Sequence, residues 1–169
     1  MGIARPARWP FNEGGTLFTK YHINNQEDIR ALIENEVAED QYIEYKLELP
    51  MKASELGGVS FEERDKHRFE VTVAAFASTS GGVILFGVVA NKGIPTDIPG
   101  VEITNLDEVK RQLQQQLDAR ILPPVFGIRI EKISWNDLAD NRGFLKVEVP
   151  KSFNGPHMIN FHRGMTIVS

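Results

Sequence analysis

The sequence predicts an α+β domain: a mainly antiparallel mixed sheet with helices packed on it. Three observations carry this. Residues 42–49 alternate Ile43, Tyr45, Leu47 and Leu49 with Tyr42, Glu44, Lys46 and Glu48, the two-residue period of a half-buried strand. Residues 83–89 form a continuous apolar run, which suits a central strand covered on both faces. Helix and strand patterns are mixed along the chain without strict βαβ alternation.

Taken in order, residues 1–24 are rich in Gly, Pro and Asn and read as an N-terminal arm, followed by one domain over 25–169. "NNQEDIRALIEN" predicts a short helix capped by Asn25, with Ile29, Leu32 and Ile33 on one face. The alternating strand follows and Pro50 stops it. Residues 51–59, with Gly57-Gly58, read as a loop. Ser60 and Glu63 have capping-box spacing for a second helix, whose Phe69, Val73 and Phe76 share a face. After the central strand, "ANKG" and "IPTDIPG" are turn chemistry. A third helix starts near Thr104 or Asn105. It carries Leu106, Val109, Leu113 and Leu117 in one stripe, exposes "QQQ" at 114–116, and is followed by Pro123-Pro124. Two alternating strands close the pattern, one turning Phe126, Ile128 and Ile130 inward and the other Leu145, Val147 and Val149. "NDLADNRG" links them as a hairpin.

Composition bounds the function. With 169 residues, 41% hydrophobic and 25% charged, the chain fits one soluble globular domain with a real core. It has no cysteine, which excludes disulfides and thiolate metal sites and fits a cytoplasmic address. No apolar stretch approaches the roughly 20 residues of a membrane span, and the N-terminal residues lack the apolar core of a secretory signal. A formal charge of −4 argues against indiscriminate nucleic-acid binding, although local basic clusters can override it. The histidines lack zinc spacing, and neither a G-x-S-x-G elbow nor a P-loop is present.

Thr79-Ser80-Gly81-Gly82 lies between two elements that both look buried. Such a pair either lets a helix turn sharply into a strand or brings backbone N–H groups to a phosphate. "ERDKHR" places Arg64, Lys66, His67 and Arg68 on the first turns of the second helix, interspersed with acids. Trp135, between the last two strands, either stacks on a base or packs against its hairpin.

Four landmarks in order resemble the Schlafen-type AlbA domain, a module associated with DNA binding and also called the divergent AAA domain. They are Glu39 leading into Glu44-Tyr45-Lys46, then "AFASTSGGVILFGV" at 75–88, then a helix with a proline stop over 105–124, and finally "VEVPKS…GPH…FHRG" over 147–164. The resemblance runs from about residue 26 onward. It implies nucleic acid as the partner, with no cofactor needed for binding, through Lys46, Lys52, Arg64, Lys66, Arg68, Gly81, Gly82, His162 and Arg163. His157 is implied on the same side.

In ribonuclease members of the family, two glutamates at the spacing of Glu39 and Glu44 join a later aspartate to hold a divalent cation. That implies Mg²⁺ or Mn²⁺ for a catalytic set of Glu39, Glu44 and Lys46. Side chains five apart on one strand face opposite sides, so Glu39 has to lie on a bend before the strand. The family's later acid is replaced near Asn91, with Asp97 farther on, which favours binding over cleavage. The leading expectation is a non-catalytic nucleic-acid-binding module of a regulator or of a defence or stress protein. The alternatives are a metal-dependent endoribonuclease and a protein-interaction or dimerisation domain. Because Schlafen cores contain two related lobes facing a groove, the resemblance also implies a homodimer.

Overall fold

A computed structural model describes residues 21–53, 59–60, 63–161 and 164–168, with side chains described over 21–51 and 66–160. The first helix, α1 (Gln26–Glu34), is set by Asn25, whose side chain accepts from the Asp28 amide while the Asp28 carboxylate accepts from the Asn25 amide. Ile29 and Leu32 point into the core. Tyr21 and Ile23, expected in an arm, are buried, so the packed region already includes them. Their apolar bulk outweighs the Asn-rich surroundings that suggested a loop.

Strand β1 (Ile43–Lys46) is shorter than the alternation suggested. Leu47 is exposed and Leu49 packs on the opposite side of the sheet from Ile43. Next come the paired strands β2 (Lys52–Ala53) and β3 (Val59–Ser60), then α2 (Glu63–Ser78), with Phe69, Val73 and Phe76 buried as expected. Ser60 ends β3, and the remainder of the expected capping box spans residues 61 and 62, outside the described residues. Strand β4 (Gly82–Phe86) is buried along its whole length.

The "ANKG" turn joins β5 (Val89–Asn91) to β6 (Ile94–Asp97). Lys92 and Gly93 both have positive φ, 49° and 79°, which matches a two-residue hairpin turn. That turn brings Asn91 opposite Ile94, so the first part of "IPTDIPG" is strand rather than turn. After β7 (Val101–Glu102), α3 (Leu106–Arg120) is capped by the Asn105 side chain and buries Leu113 and Leu117. Gln116 corrects the expectation of an exposed "QQQ": it is buried and donates to Glu70 at 2.8 Å.

The chain continues through β8 (Ile121–Leu122), β9 (Arg129–Ser134), β10 (Arg142–Val149), β11 (His157–Phe161) and β12 (Gly164–Val168). The main sheet has the order β1-β4-β10-β7, with β9 also on β10; β1 runs parallel to β4 and the other pairs are antiparallel. Both faces are covered. Ile84, Phe86, Leu145 and Val147 pack with α2 and α3, while Val83, Leu85, Ile43 and Tyr45 pack with α1. This two-sided cover explains why β10 is buried at Phe144, Lys146 and Glu148 as well as at the expected Leu145, Val147 and Val149.

The polar pair is held by charge partners: Lys146 Nζ is 2.8 Å from Glu131, and Glu148 is 2.6 Å from Arg129. Phe126 precedes β9 and is 73% exposed, contrary to the inward expectation; Ile130 and Ile133 supply the apolar contacts instead. Trp135 packs edge-on against Phe144 with Arg30 over its ring, so it is part of the core rather than a free stacking platform.

Candidate nucleic-acid interface

The register of β1 on β4 decides where its polar side chains go. Glu44 pairs with Ile84 and Lys46 with Phe86, and those partners face α2. Glu44 and Lys46 therefore leave the sheet edge on the α2 side. Lys46 Nζ lies 2.6 Å from Glu44 Oε1, which also stands 3.4 Å from the Thr72 hydroxyl. Thr72 Oγ1 donates to the Arg68 carbonyl one turn back at 2.9 Å. Together with His67, Arg68 and Val71 these residues line an open cleft of about 430 Å³ between β1 and α2. The cleft has two permanent cations, Lys46 and Arg68, against one carboxylate, with His67 beside them. Among the described residues the Arg68 guanidinium has no carboxylate partner.

Sequence reasoning anticipated Lys46 and Arg68, and both are brought together. Lys66 is not with them. About 100° per residue separates neighbours on a helix, so Lys66 and Glu70 look toward α3 while Arg68 and Thr72 look toward β1. Lys52 and Arg64 lie in β2 and α2, with side chains outside the described set, and His162 and Arg163 lie outside the described residues. His157 is fully buried, its Nδ1 2.7 Å from the Pro123 carbonyl, so it takes no part in a surface groove. Thr72 was missed; its only signal is the four-residue step from Arg68.

The glycine pair has a packing role. Gly81 closes α2 by donating its amide to the Phe76 carbonyl at 2.7 Å, with φ at +77°. A Cβ there would stand 2.7 Å from the Val149 carbonyl, and one on Gly82 would stand 2.5 Å from the Phe76 ring. Both residues are buried, and the Gly81 amide is not available to a phosphate. The expected ligand contact at this turn is corrected accordingly.

Glu39 does lie on a bend before β1, as its spacing required. Its carboxylate accepts from the Tyr45 amide at 2.9 Å, and its backbone amide donates to Gly93 in the β5–β6 turn at 2.8 Å. Glu44 is instead committed to Lys46. Asp97 accepts from the Ile98 amide, and Asn91 is exposed in β5. Among the described residues no group of three or more His, Asp or Glu side chains is placed to hold a metal ion. Among the described residues, Glu39 and Glu44 are thus engaged in separate contacts and no third carboxylate joins them.

The family model described as "Schlafen, AlbA_2" matches residues 39–167. The chain belongs to the Schlafen AlbA_2 family. No curated protein matches it. Among solved structures it is similar to the DIP2311 protein from Corynebacterium diphtheriae, with 15% identity and a TM-score of 0.40. That match covers 85% of this chain and 27% of the other, so the chain spans about a quarter of that protein's length. Among the described residues of this AlbA_2 domain, no helix is long and apolar enough to cross a membrane.

Proposed function

We propose that this AlbA_2 domain binds nucleic acid through backbone phosphates in the β1–α2 cleft and does not cleave it. The observation that carries the reading is the convergence of Lys46, His67, Arg68 and Thr72, from two separate elements, on one open cleft. A cation without a carboxylate partner among the described residues is the group that contacts phosphate oxygens. Backbone contact dominates over base recognition in this reading, because the cleft's two cations, Lys46 and Arg68, are groups that track phosphate. The commitment of Glu39 to a backbone amide and of Glu44 to Lys46 supports binding without hydrolysis. The domain works as a symmetric pair in this reading; the exposed Phe126 and Phe153 offer apolar surface that an isologous contact would cover.

The test is binding of short labelled single- and double-stranded DNA and RNA at low and physiological salt, in EDTA and in Mn²⁺, with product length followed in the same samples. Salt-sensitive binding of intact substrate is expected in both metal conditions. Metal-dependent shortening that disappears in Glu44→Ala would replace this reading with the nuclease. Absence of binding to every probe would leave a protein-interaction domain. Gel filtration of a concentrated sample as a monomer would remove the pairing.

A further inference from the structure

The two edges of the main sheet are finished differently. At β1 the Glu39 carboxylate takes the Tyr45 amide. At the opposite edge, β9 is bonded to β10 alone. Among the described residues, nothing outside β10 bonds the main chain of residues 130–134. A six-residue strand with one side unpaired is a template for another strand.

Charged side chains on an edge usually discourage such pairing, and β9 carries Arg129, Glu131 and Lys132. Their arrangement here selects one pairing instead. Arg129 and Glu131 are two residues apart, so they share a face of the sheet. Each is held by a buried group directly opposite on β10: Arg129 lies 2.6 Å from Glu148, and Glu131 lies 2.8 Å from Lys146. Arg129 and Glu131 nevertheless keep 50% and 51% of their side-chain surface exposed. The edge therefore presents a positive and a negative charge side by side, each anchored from within. Lys132 is on the other face, where its Nζ donates to the Asp140 carbonyl at 3.0 Å.

We infer that β9 pairs antiparallel with β9 of a second copy of this chain, joining the two main sheets into one across a two-fold axis at Ile130. Facing residues of an antiparallel pair point to the same side, so the axis has to pass through a residue rather than between two. An axis at Arg129, Glu131 or Lys132 sets like charges opposite each other, and one at Ile133 gives Arg129 and Glu131 no opposite charge. At Ile130, Arg129 faces the partner's Glu131 and Glu131 faces the partner's Arg129. Each copy then starts a row of alternating charges across the joined sheet: Glu148, Arg129, the partner's Glu131 and the partner's Lys146. Ile130 meets its own copy on the opposite face, and the exposed Phe126, just before the strand, joins the rim of the contact. This inference rests on the paired state proposed above, gives it a surface, and does not depend on nucleic acid.

The experiment measures the register directly. The chain has no cysteine, so Ser134→Cys, at the exposed end of β9, takes a single nitroxide label. In the register centred on Ile130 the two labels are offset by roughly eight residues, about 27 Å at about 3.4 Å per residue. Pulsed electron spin resonance of the protein without nucleic acid should give one distance distribution centred at about 25–30 Å. Sedimentation of the unlabelled protein should show a dimer whose dissociation constant rises several-fold between roughly 0.05 M and 0.5 M salt. A dimer with a different label distance would overturn the β9 pairing and leave the paired state on another surface. A monomer in both measurements would overturn the pairing and the paired state together, and leave the edge to a strand of a different protein. Arg129→Gln should weaken the dimer about fivefold or more, while Lys146 remains 3.6 Å from Glu148 to hold that buried carboxylate. An unchanged dissociation constant in that variant would overturn the charge rows, and the label distance in the otherwise unaltered chain decides the register even if the variant fails to fold.

Discussion

The Glu39 carboxylate accepts a hydrogen bond from the Tyr45 backbone amide at 2.9 Å, across the outer edge of β1. An edge strand leaves such amides open to pairing with another chain, and Glu39 closes this one. Its own amide donates to the Gly93 carbonyl, so the same residue ties β1 to the β5–β6 hairpin. Glu39→Ala is expected to lower stability by roughly 1 kcal/mol, the usual scale for one hydrogen bond, while Glu39→Gln keeps an acceptor and most of that stability. Neither should change nucleic-acid affinity. Denaturant melts and a binding titration on the same samples check this, and a tenfold loss of affinity with an intact fold would return Glu39 to the site.

Charge substitutions in the cleft should act with opposite signs. Arg68→Ala removes an exposed cation, so it should weaken binding to all sequences and lower the salt slope by about 0.7–0.9 per lost phosphate contact. Its effect on stability should stay within about 0.5 kcal/mol. Lys46→Ala should cost more affinity, because it also leaves Glu44 facing the phosphates without its partner. Glu44→Gln should raise affinity, whereas a catalytic Glu44 would show as lost cleavage. Fluorescence anisotropy across a salt series distinguishes these outcomes.

How far the sequence could be read follows from which signals are local. The Asn25 cap, the start of α3 beside Asn105 and the apolar face of α2 depend on spacing within one segment, and each is found where it was expected. The apolar run 83–89 is strand β4 only as far as Phe86, because Gly87 at φ +101° turns the chain before Val89 enters β5. Lys46 and Arg68 were singled out separately, yet their meeting depends on the β1–β4 register and the rotation of α2, which no spacing reveals. The same rotation sends Lys66 away. Gln116 looked like solvent-facing polarity because its partner, Glu70, lies 46 residues earlier in the chain. Lys146 and Glu148 alternate with apolar neighbours as an exposed strand face does; the charges on β9, together with their own pairing and Asn24, make their burial tolerable.

The two glycines after α2 should resist even a methyl group. Gly82→Ala drives Cβ to 2.5 Å from the Phe76 ring, which is buried in the core. Gly81→Ala meets the Val149 carbonyl at 2.7 Å and also requires a side chain at φ +77°. Each is expected to cost on the order of 1–3 kcal/mol, as overpacking does. Ser80→Ala, on the exposed residue beside them, should be close to neutral. Guanidinium melts of the three variants give the comparison, and a neutral Gly82→Ala would contradict the packing described for this turn.

Alkaline pH should loosen the side of the sheet that faces α1. Burial, followed by the Asp40 carboxylate at 2.8 Å, pushes the Tyr21 hydroxyl well above its ordinary value of 10.0. Burial likewise raises Tyr45, whose hydroxyl donates to the Val37 carbonyl at 2.8 Å. In the unfolded chain both ionise near the ordinary value, while in the folded chain they stay protonated to higher pH. Their stabilising contribution is therefore complete below the ordinary value and is lost as pH rises from there toward the folded values. Melting temperature should fall increasingly steeply above about pH 10, and Tyr21→Phe, which has no proton to release, should flatten part of that fall. Melting curves and phenolate absorbance across the alkaline range check both statements. A variant that declines in parallel with the unaltered protein would show that Tyr21 does not couple folding to pH.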